Sequence, residues 1–229
     1  MEKLIEKLEK ETTPLISTVE SDAFIKASEK AFDCIFDGVS RFYPWKMPTK
    51  LPKDFKLGVI VGGSGSGKST LLKKFGHEET PIWYPNKSII SHFETPDEAI
   101  NRLGSVGLNT VPSWYKPYSV LSNGEKFRAD LARKIKSGAV IDEFTSVVDR
   151  TVAKAASVAL SRYINNNNLK NIVLSTCHQD ILDWLEPDWV LNTDTGELFS
   201  GFFLSDQKSM SKYIAQSMII GECLKTIII

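Results

Sequence analysis

Short apolar runs alternate along the chain with segments whose apolar residues recur at helical spacing. The runs short enough to be buried strands lie at 57–61, 139–141, 171–175 and 189–192. The segments with helical spacing lie at 22–36, 97–103, 121–136, 151–164 and 179–185, and a further helix begins at Lys68. Because strands that alternate with helices build layered sheets, this pattern predicts an α/β fold.

Smaller elements are predicted outside this alternation. Residues 1–11 carry three apolar residues on one helical face, which predicts an amphipathic helix for surface docking or for binding a partner. Strands are expected at 15–19 and 88–93, whereas three prolines make 41–55 a loop. The tail from residue 207 onward has helical character and an apolar end.

Composition adds an expectation about the cellular setting. Of 229 residues, 42% are hydrophobic and 24% are charged, as in ordinary soluble globular proteins. The 28 basic and 28 acidic residues balance, so net charge does not support nucleic-acid binding. A local patch at Lys126, Arg128 and Arg133 is the place to look for it, and a solvated helix face is the alternative. Three scattered cysteines and the lack of an apolar run near roughly 18 residues predict a cytoplasmic chain without membrane insertion.

Residues 57–72 hold the clearest candidate for chemistry, a glycine-rich turn between a strand and a helix. Gly62, four further residues, Gly67, Lys68 and Ser69 form the pattern of a phosphate-binding P-loop. Glycines let backbone N–H groups turn toward an anion, and the helix directs its positive end at the same point. Lys68 would contact the β- and γ-phosphates, and Ser69 would ligate Mg²⁺. The candidate nucleotide-binding residues are Gly62, Gly63, Ser64, Gly65, Ser66, Gly67, Lys68, Ser69 and Thr70.

Two carboxylates follow the buried run at 139–141. A strand that ends in Asp142 and Glu143 places both at the carboxyl edge of the sheet, where α/β folds bind ligands. Asp142 would hold Mg²⁺, and Glu143 would accept a proton from the water that attacks the γ-phosphate. A solvated acidic turn is the alternative, and the preceding P-loop makes it the weaker one.

An aromatic stretch precedes the P-loop strand and contains Phe42, Tyr43 and Trp45. A ring in this place can stack on a nucleotide base, and Tyr43 or Trp45 is the preferred candidate. Ordinary packing of these rings against the sheet is the alternative, and the sequence supports it at least as well.

Three later segments carry a resemblance to a known family. Residues 121–125, Leu-Ser-Asn-Gly-Glu, resemble the signature loop of the ABC ATPases, where Leu-Ser-Gly-Gly-Gln or Leu-Ser-Gly-Gly-Glu is common. Residues 146–149 resemble the family's D-loop, and His178 resembles its switch histidine. Taken as residues alone, Ser122 and Glu125 also make a helix capping box, and a histidine at a strand end is commonly structural.

The resemblance covers residues 43–196 and implies an α/β P-loop NTPase that binds ATP and Mg²⁺ and hydrolyses ATP in an ATP-sandwiched homodimer. It implies catalytic roles for Lys68, Glu143 and His178, metal ligation by Ser69 and Asp142, and nucleotide contacts from Asp149. Ser122, Asn123 and Gly124 would reach the γ-phosphate held by a second subunit. Asn123 stands where glycine is usual, and asparagine tolerates left-handed backbone angles.

The chain also departs from the family pattern. No glutamine occurs between Ser69 and Ser122, so the metal-contacting glutamine of the family is missing, and His92 is the substitute candidate. The short segment between P-loop and signature loop predicts an ABC core with a reduced helical insert. The predicted organisation is an N-terminal extension at 1–40, the ATPase domain at 41–205 and a helical tail at 206–229.

The reduced insert favours a soluble ABC ATPase that drives or regulates a partner. The closest form of the family is the prokaryotic and phage ABC ATPase module that is sometimes fused to an acetyltransferase domain, although the chain has no acetyltransferase segment. The nucleotide-binding subunit of a transporter and a non-hydrolysing, ATP-dependent clamp or DNA-associated regulator are the alternatives.

Overall fold

The computed structural model describes residues 3–200 and contains a six-stranded sheet beside a small two-stranded one. The strands are β1 (Lys3–Lys7), β2 (Leu15–Thr18), β3 (Val39–Phe42), β4 (Leu57–Val61), β5 (Val140–Ile141), β6 (Ile172–Thr176), β7 (Trp189–Asn192) and β8 (Glu197–Ser200). The large sheet has the order β1-β8-β7-β4-β6-β5, and β2 pairs with β3. Among these residues, no helix combines the length and apolar character needed to cross a membrane.

The helices are α1 (Ala23–Phe32), α2 (Lys68–Leu72), α3 (Pro96–Ser105), α4 (Val111–Trp114), α5 (Asn123–Lys134), α6 (Arg150–Asn166) and α7 (Leu182–Leu185), with 3-10 turns at Ile89–His92, Tyr118–Val120 and Gln179–Ile181. Helices other than α1 pack on both faces of the large sheet, with α2 in one hydrophobic cluster and α3 to α7 in the other. Alternate residues of β4 enter different cores, since Val59 packs into one hydrophobic cluster and Ile60 into the other. This two-sided burial explains why β4 is apolar at every position except its glycine.

Four consecutive parallel strands, in the order β7-β4-β6-β5, form one side of the large sheet and fix where a ligand can bind. β4 pairs in parallel with β6 and β7, and β5 pairs in parallel with β6. In the register, Val61 lies opposite both Thr176 and Asn192. The loops that follow these strands therefore gather at one edge, which is the ligand-binding edge of parallel α/β sheets.

The predicted central elements are confirmed. α6 begins after the cap residue Asp149 and buries Ala153, Leu160 and Ile164, as the helical spacing indicated. α3 is capped by Thr95, whose hydroxyl accepts from the amide of Glu98. The four parallel strands β4, β5, β6 and β7 lie within a residue of the predicted positions, because they are apolar runs with no competing helical period.

The predicted helix at 1–11 is wrong, since residues 3–7 form β1 and pair antiparallel with β8. A helix of this length is marginal in water, whereas the outer edge of β8 carries backbone groups that need partners. The apolar runs do not predict β8, since the last strand that they predict is 189–192, which is β7. The apolar residue Leu8 is nonetheless buried, in the same cluster as Ile60.

The predicted strand at 88–93 is also wrong. Ile89–His92 is a 3-10 turn with Ile89 fully buried, and the His92 ring bonds back to the carbonyl of Ser88. Ser88 and Ser91 are joined through their hydroxyls at 2.8 Å. Such local side-chain bonds compete with an extended backbone, which explains the turn.

The segment from β2 to β3 stands apart from both cores. β2 and α1 fall where a strand and a helix are predicted, although α1 ends at Phe32 rather than at residue 36. The predicted loop at 41–55 begins two residues later, because β3 extends to Phe42. The division at residues 40 and 205 stays a prediction, and the predicted helical tail lies outside the described residues.

Candidate functional site

The P-loop leaves the carboxyl end of β4 and turns into α2. Gly67 has φ +95°, and a Cβ there would lie 2.7 Å from Cζ of Phe42. Both facts require glycine at the residue before Lys68. Ser64 and Gly65 form the exposed tip of the turn, and Ser69 and Thr70 lie in the first turn of α2.

Both backbone polar groups of Gly63 are hydrogen-bonded. Its carbonyl oxygen accepts from Nζ of Lys68 at 2.7 Å and from Oγ of Ser66 at 2.8 Å. Its N–H donates to both carboxylate oxygens of Asp194, at 3.0 and 3.1 Å. The chain's own groups therefore fix the turn, and Lys68 is held on the P-loop itself.

Ser66 anchors the same turn to two distant segments. Its carbonyl oxygen accepts from Nε1 of Trp45 at 3.1 Å, and its hydroxyl lies 2.6 Å from that of Thr193. Sequence reasoning missed Thr193 and Asp194. Their place directly after a strand is the signal, but it can be used only once β7 is known to be the parallel neighbour of β4.

Ser69 and Asp142, the predicted metal ligands, line one cavity of about 220 Å³ behind the P-loop. Both offer oxygen atoms, which suit Mg²⁺. The described residues contain no group of three or more His, Cys, Asp or Glu side chains that could hold a metal ion.

A buried serine orients Asp142. Oγ of Ser175, at the end of β6, donates to Oδ1 of Asp142, and the amide of Glu143 donates to the same oxygen at 3.0 Å. That amide also lies 3.1 Å from Oγ of Ser175. Ser175 is another residue that sequence reasoning missed, although its place beside β5 in the sheet is the signal.

The backbone after Asp142 is strained. Glu143 has φ +49° and Thr145 has φ +68°, and both carry side chains that disfavour this region. Such residues cost about 1–3 kcal/mol each and concentrate at functional sites. Phe144 between them is fully buried, so the core holds the strained turn and leaves Glu143 exposed at the edge of the sheet.

His178 follows β6 and contacts the same strained turn. Its Nδ1 lies 3.1 Å from the hydroxyl of Thr145, which in turn donates to the carbonyl of Phe144 at 2.6 Å. Burial, reinforced by the charge of Arg150, lowers the pKa of His178 below its usual value, against a smaller opposing effect of Asp180. The structure thus places Asp142, Glu143 and His178 at one edge of the sheet, and their catalytic and metal-binding roles stay predictions.

A larger cavity of about 580 Å³ separates these carboxylates from α5. Asp142, Glu143 and Ser146 line one side, and Asn123 and other α5 residues line the opposite side. Asn123, at the start of α5, therefore faces Asp142 and Glu143 of its own chain across this cavity.

The signature loop is organised locally. Ser122 caps α5, and the reciprocal bonds of a capping box with Glu125 are present. The buried hydroxyl of Ser113 donates to the second oxygen of Glu125 at 2.5 Å. These bonds to Ser113 and Ser122 lower the pKa of Glu125 to about 2. Gly124, in the first turn of α5, leaves room for a methyl group, since a Cβ there would lie 3.8 Å from the Val152 side chain.

The D-loop-like segment has a structural role that can be observed directly. Asp149 caps α6 by accepting from the amides of Thr151 and Val152 at 2.8 and 3.0 Å. Ser146 lies 3.4 Å from the carboxylate of Glu143 through its hydroxyl. The nucleotide-binding role of Asp149 stays a prediction.

The two aromatic candidates differ in accessibility. Trp45 is 8% exposed, and its indole lies against Gly196 and under Nζ of Lys10 at 5.1 Å. This matches the packing alternative for Trp45. Tyr43 is 43% exposed and is the ring of the pair that a base could reach.

His92 and the predicted basic patch are engaged elsewhere. Nε2 of His92 accepts from the amide of Tyr84 at 2.9 Å, so both ring nitrogens have partners. Arg133 donates to the carbonyl of Ile82 and lies over the Trp83 ring, while Lys126 lies over the Tyr118 ring. Arg128 is half-buried, and burial lowers its pKa. The three cations therefore pack against their own chain.

Comparison with known proteins identifies the fold. No protein-family model and no curated protein matches the chain. Among solved structures, it is similar to a dimeric post-hydrolysis state of the ATP-binding cassette MJ0796 bound to ADP and Pi, with TM-score 0.51, 15% identity and coverage of 81% of this chain and 93% of that one. It is also similar to a dimeric structure of MJ0796 described as a bacterial ABC transporter cassette, with TM-score 0.50, 14% identity and coverage of 84% and 94%. The predicted P-loop NTPase fold of the ABC ATPase type is confirmed.

Proposed function

We propose that the chain binds ATP with Mg²⁺ and hydrolyses it, in a dimer that drives or regulates a partner. The observation that carries this proposal is the meeting of the P-loop, Asp142, Glu143 and His178 at one edge of an ABC-type sheet. A sheet edge with a purely structural role does not require a strained turn with two carboxylates beside a P-loop.

In this proposal the P-loop amides and Lys68 hold the triphosphate. Lys68 exchanges the carbonyl of Gly63 for the β- and γ-phosphates. Glu143, exposed at the edge of the sheet, accepts the proton of the attacking water. His178 lies beside the same turn and bonds the γ-phosphate. Tyr43 or Trp45 contacts the base, and the exposure of Tyr43 favours that ring.

Mg²⁺ is assigned to Ser69 and Asp142. Ser175 and the amide of Glu143 hold Oδ1 of Asp142, which orients the carboxylate toward a ligand. When bound, the ion neutralises charge on the β- and γ-phosphate oxygens. The chain's own contribution is to fix both ligands on α2 and after β5.

The second half of each site is assigned to another copy of the chain. Ser122, Asn123 and Gly124 of one copy close on the nucleotide held by the P-loop of the other, with Asp149 near the contact. Support comes from the exposure of Ser122 and Asn123 and from the dimeric state of both similar cassettes.

Substitution of Glu143 by Gln tests this proposal. Loss of the base should lower hydrolysis by about 10²–10⁴-fold while ATP still binds, so the variant should accumulate as an ATP-bound dimer. Size-exclusion chromatography with and without Mg-ATP measures this, with exposed Glu94→Gln as the matched control. A variant that stays monomeric under both conditions contradicts the sandwiched dimer, and unchanged hydrolysis contradicts the role of Glu143.

A further inference from the structure

Two residues after β7 contact the P-loop from the side, and we call Thr193 and Asp194 the brace. β7 is the parallel neighbour of β4, with Asn192 opposite Val61. The brace therefore begins where the P-loop begins, although 131 residues separate Asp194 from Gly63.

Thr193 fixes the base of the loop. It is 2% exposed, and its amide and hydroxyl donate to the carbonyl of Val61 at 2.8 and 3.0 Å. Its hydroxyl also lies 2.6 Å from that of Ser66. A Cβ on Gly62 would lie 2.2 Å from the Thr193 oxygen, so the two segments are in close contact.

Asp194 fixes the first peptide of the loop. Both carboxylate oxygens accept from the N–H of Gly63, a charge-assisted bond that is stronger than a neutral one. The carbonyl oxygen of Gly63, which belongs to the next peptide unit, accepts from Lys68 and Ser66. Asp194 therefore holds the peptide plane before Gly63, and the two P-loop side chains hold the plane after it.

The charge of Asp194 does not explain this placement. A carboxylate beside a phosphate-binding loop repels the phosphates of a nucleotide, so a benefit has to come from the geometry that it imposes. Holding a loop in its bound conformation removes part of the ordering cost of binding.

We propose that Thr193 and Asp194 are positioning residues that hold the P-loop in its anion-binding conformation before nucleotide arrives. They set the affinity for ATP and leave the hydrolysis step unchanged. The affinity part rests on the proposed function, whereas the ordering of the loop does not.

The test compares Asp194→Ala and Asp194→Asn with Asp54→Ala, an acid whose side chain is 92% exposed. Without nucleotide, Asp194→Ala should raise amide hydrogen exchange in the peptide that contains residues 62–67. It should also weaken binding of a fluorescent ATP analogue about tenfold, with turnover at saturating ATP within about twofold of the parent chain. Asp194→Asn keeps an oxygen that accepts from Gly63, so hydrogen exchange should stay near that of the parent chain, and ATP should bind at least as tightly because the repelling charge is gone.

Three results would overturn the brace. They are unchanged exchange in Asp194→Ala, tighter ATP binding in both Asp194 variants, which would show charge repulsion, and a loss in turnover at saturating ATP as large as the loss in affinity. If the parent chain fails to bind ATP while exchange rises in Asp194→Ala, the proposed function fails and the brace stands. Thr193→Ser keeps the hydroxyl and should behave like the parent chain.

Discussion

The P-loop and the signature loop, the two halves of the candidate site, are held in different ways. The P-loop is bonded to segments far away in the sequence, through Asp194 and Trp45. The signature loop is held by Ser113 and Glu125, and both lie within a dozen residues of Ser122 in the sequence. One half is fixed by the sheet, and the other is fixed by its own helix cap.

This difference separates two tasks in the proposed cycle. A P-loop that is ordered in the single chain can bind a triphosphate before any second copy arrives. A signature loop whose polar groups are hydrogen-bonded within the chain can stay exposed at no cost in unpaired polar groups. It is then available to contact the surface of a second copy. Nucleotide binding would belong to each chain, and closure would belong to the pair.

Lys68→Ala removes the cation of the P-loop half and should have a large effect on nucleotide binding. Loss of a charge-assisted phosphate contact should weaken ATP binding by roughly 10–100-fold in the isolated chain. Calorimetry or a fluorescent ATP analogue measures the change, with exposed Lys53→Ala as the matched control. Equal affinity in the parent and Lys68→Ala would mean that the P-loop side does not bind the triphosphate.

Gly124→Ala tests the other half. The added methyl group meets Val152 at 3.8 Å and Nη1 of Arg128 at 3.9 Å, both ordinary contacts, and alanine favours the helix by about 1 kcal/mol, so the fold should not suffer. We expect ATP affinity of the single chain to stay within twofold, whereas ATP-induced dimerisation weakens about tenfold because close backbone approach is lost. Sedimentation measurements over a range of concentrations with Mg-ATP separate the two effects. A dimer of unchanged strength would remove Gly124 from the interface.

Sequence patterns predicted most of the P-loop half because its chemistry is contiguous. Gly62 to Ser69 stand in one stretch, and Asp142 and Glu143 follow a recognisable strand. Thr193 and Ser175 were missed, since their roles arise from strand order, and the order of β7, β4 and β6 cannot be deduced from local periodicity.

The errors share a physical cause. Residues 3–7 have a helical pattern, yet β8 offers a row of backbone groups that only a strand can pair. Ile89 lies in an apolar run, yet serine and histidine bonds turn the backbone around it. In both places, a partner outside the local pattern decides the structure, which is the usual limit of propensity.

Glu125 holds the signature loop, and its replacement should change the free energy of unfolding only slightly. The folded pKa of Glu125 is lowered from 4.5 to about 2 by its bonds to Ser113 and Ser122, so its charged form stabilises the folded chain. This stability is fully present above pH 4.5 and is lost as pH falls toward about 2. Glu125→Gln removes the charge but keeps one acceptor for Ser113, and should lower the free energy of unfolding by about 1 kcal/mol near neutral pH.

Urea unfolding of the parent and Glu125→Gln between pH 3 and pH 7 measures this difference. The gap between the two should be constant from pH 7 to about 5 and should narrow below pH 4.5. ATP affinity near neutral pH should be equal in both, because Glu125 lies on the half that does not hold the triphosphate in its own chain. A gap that widens with acid would contradict the charge-based cap, and a loss of ATP affinity in the single chain would contradict the separation of the two halves.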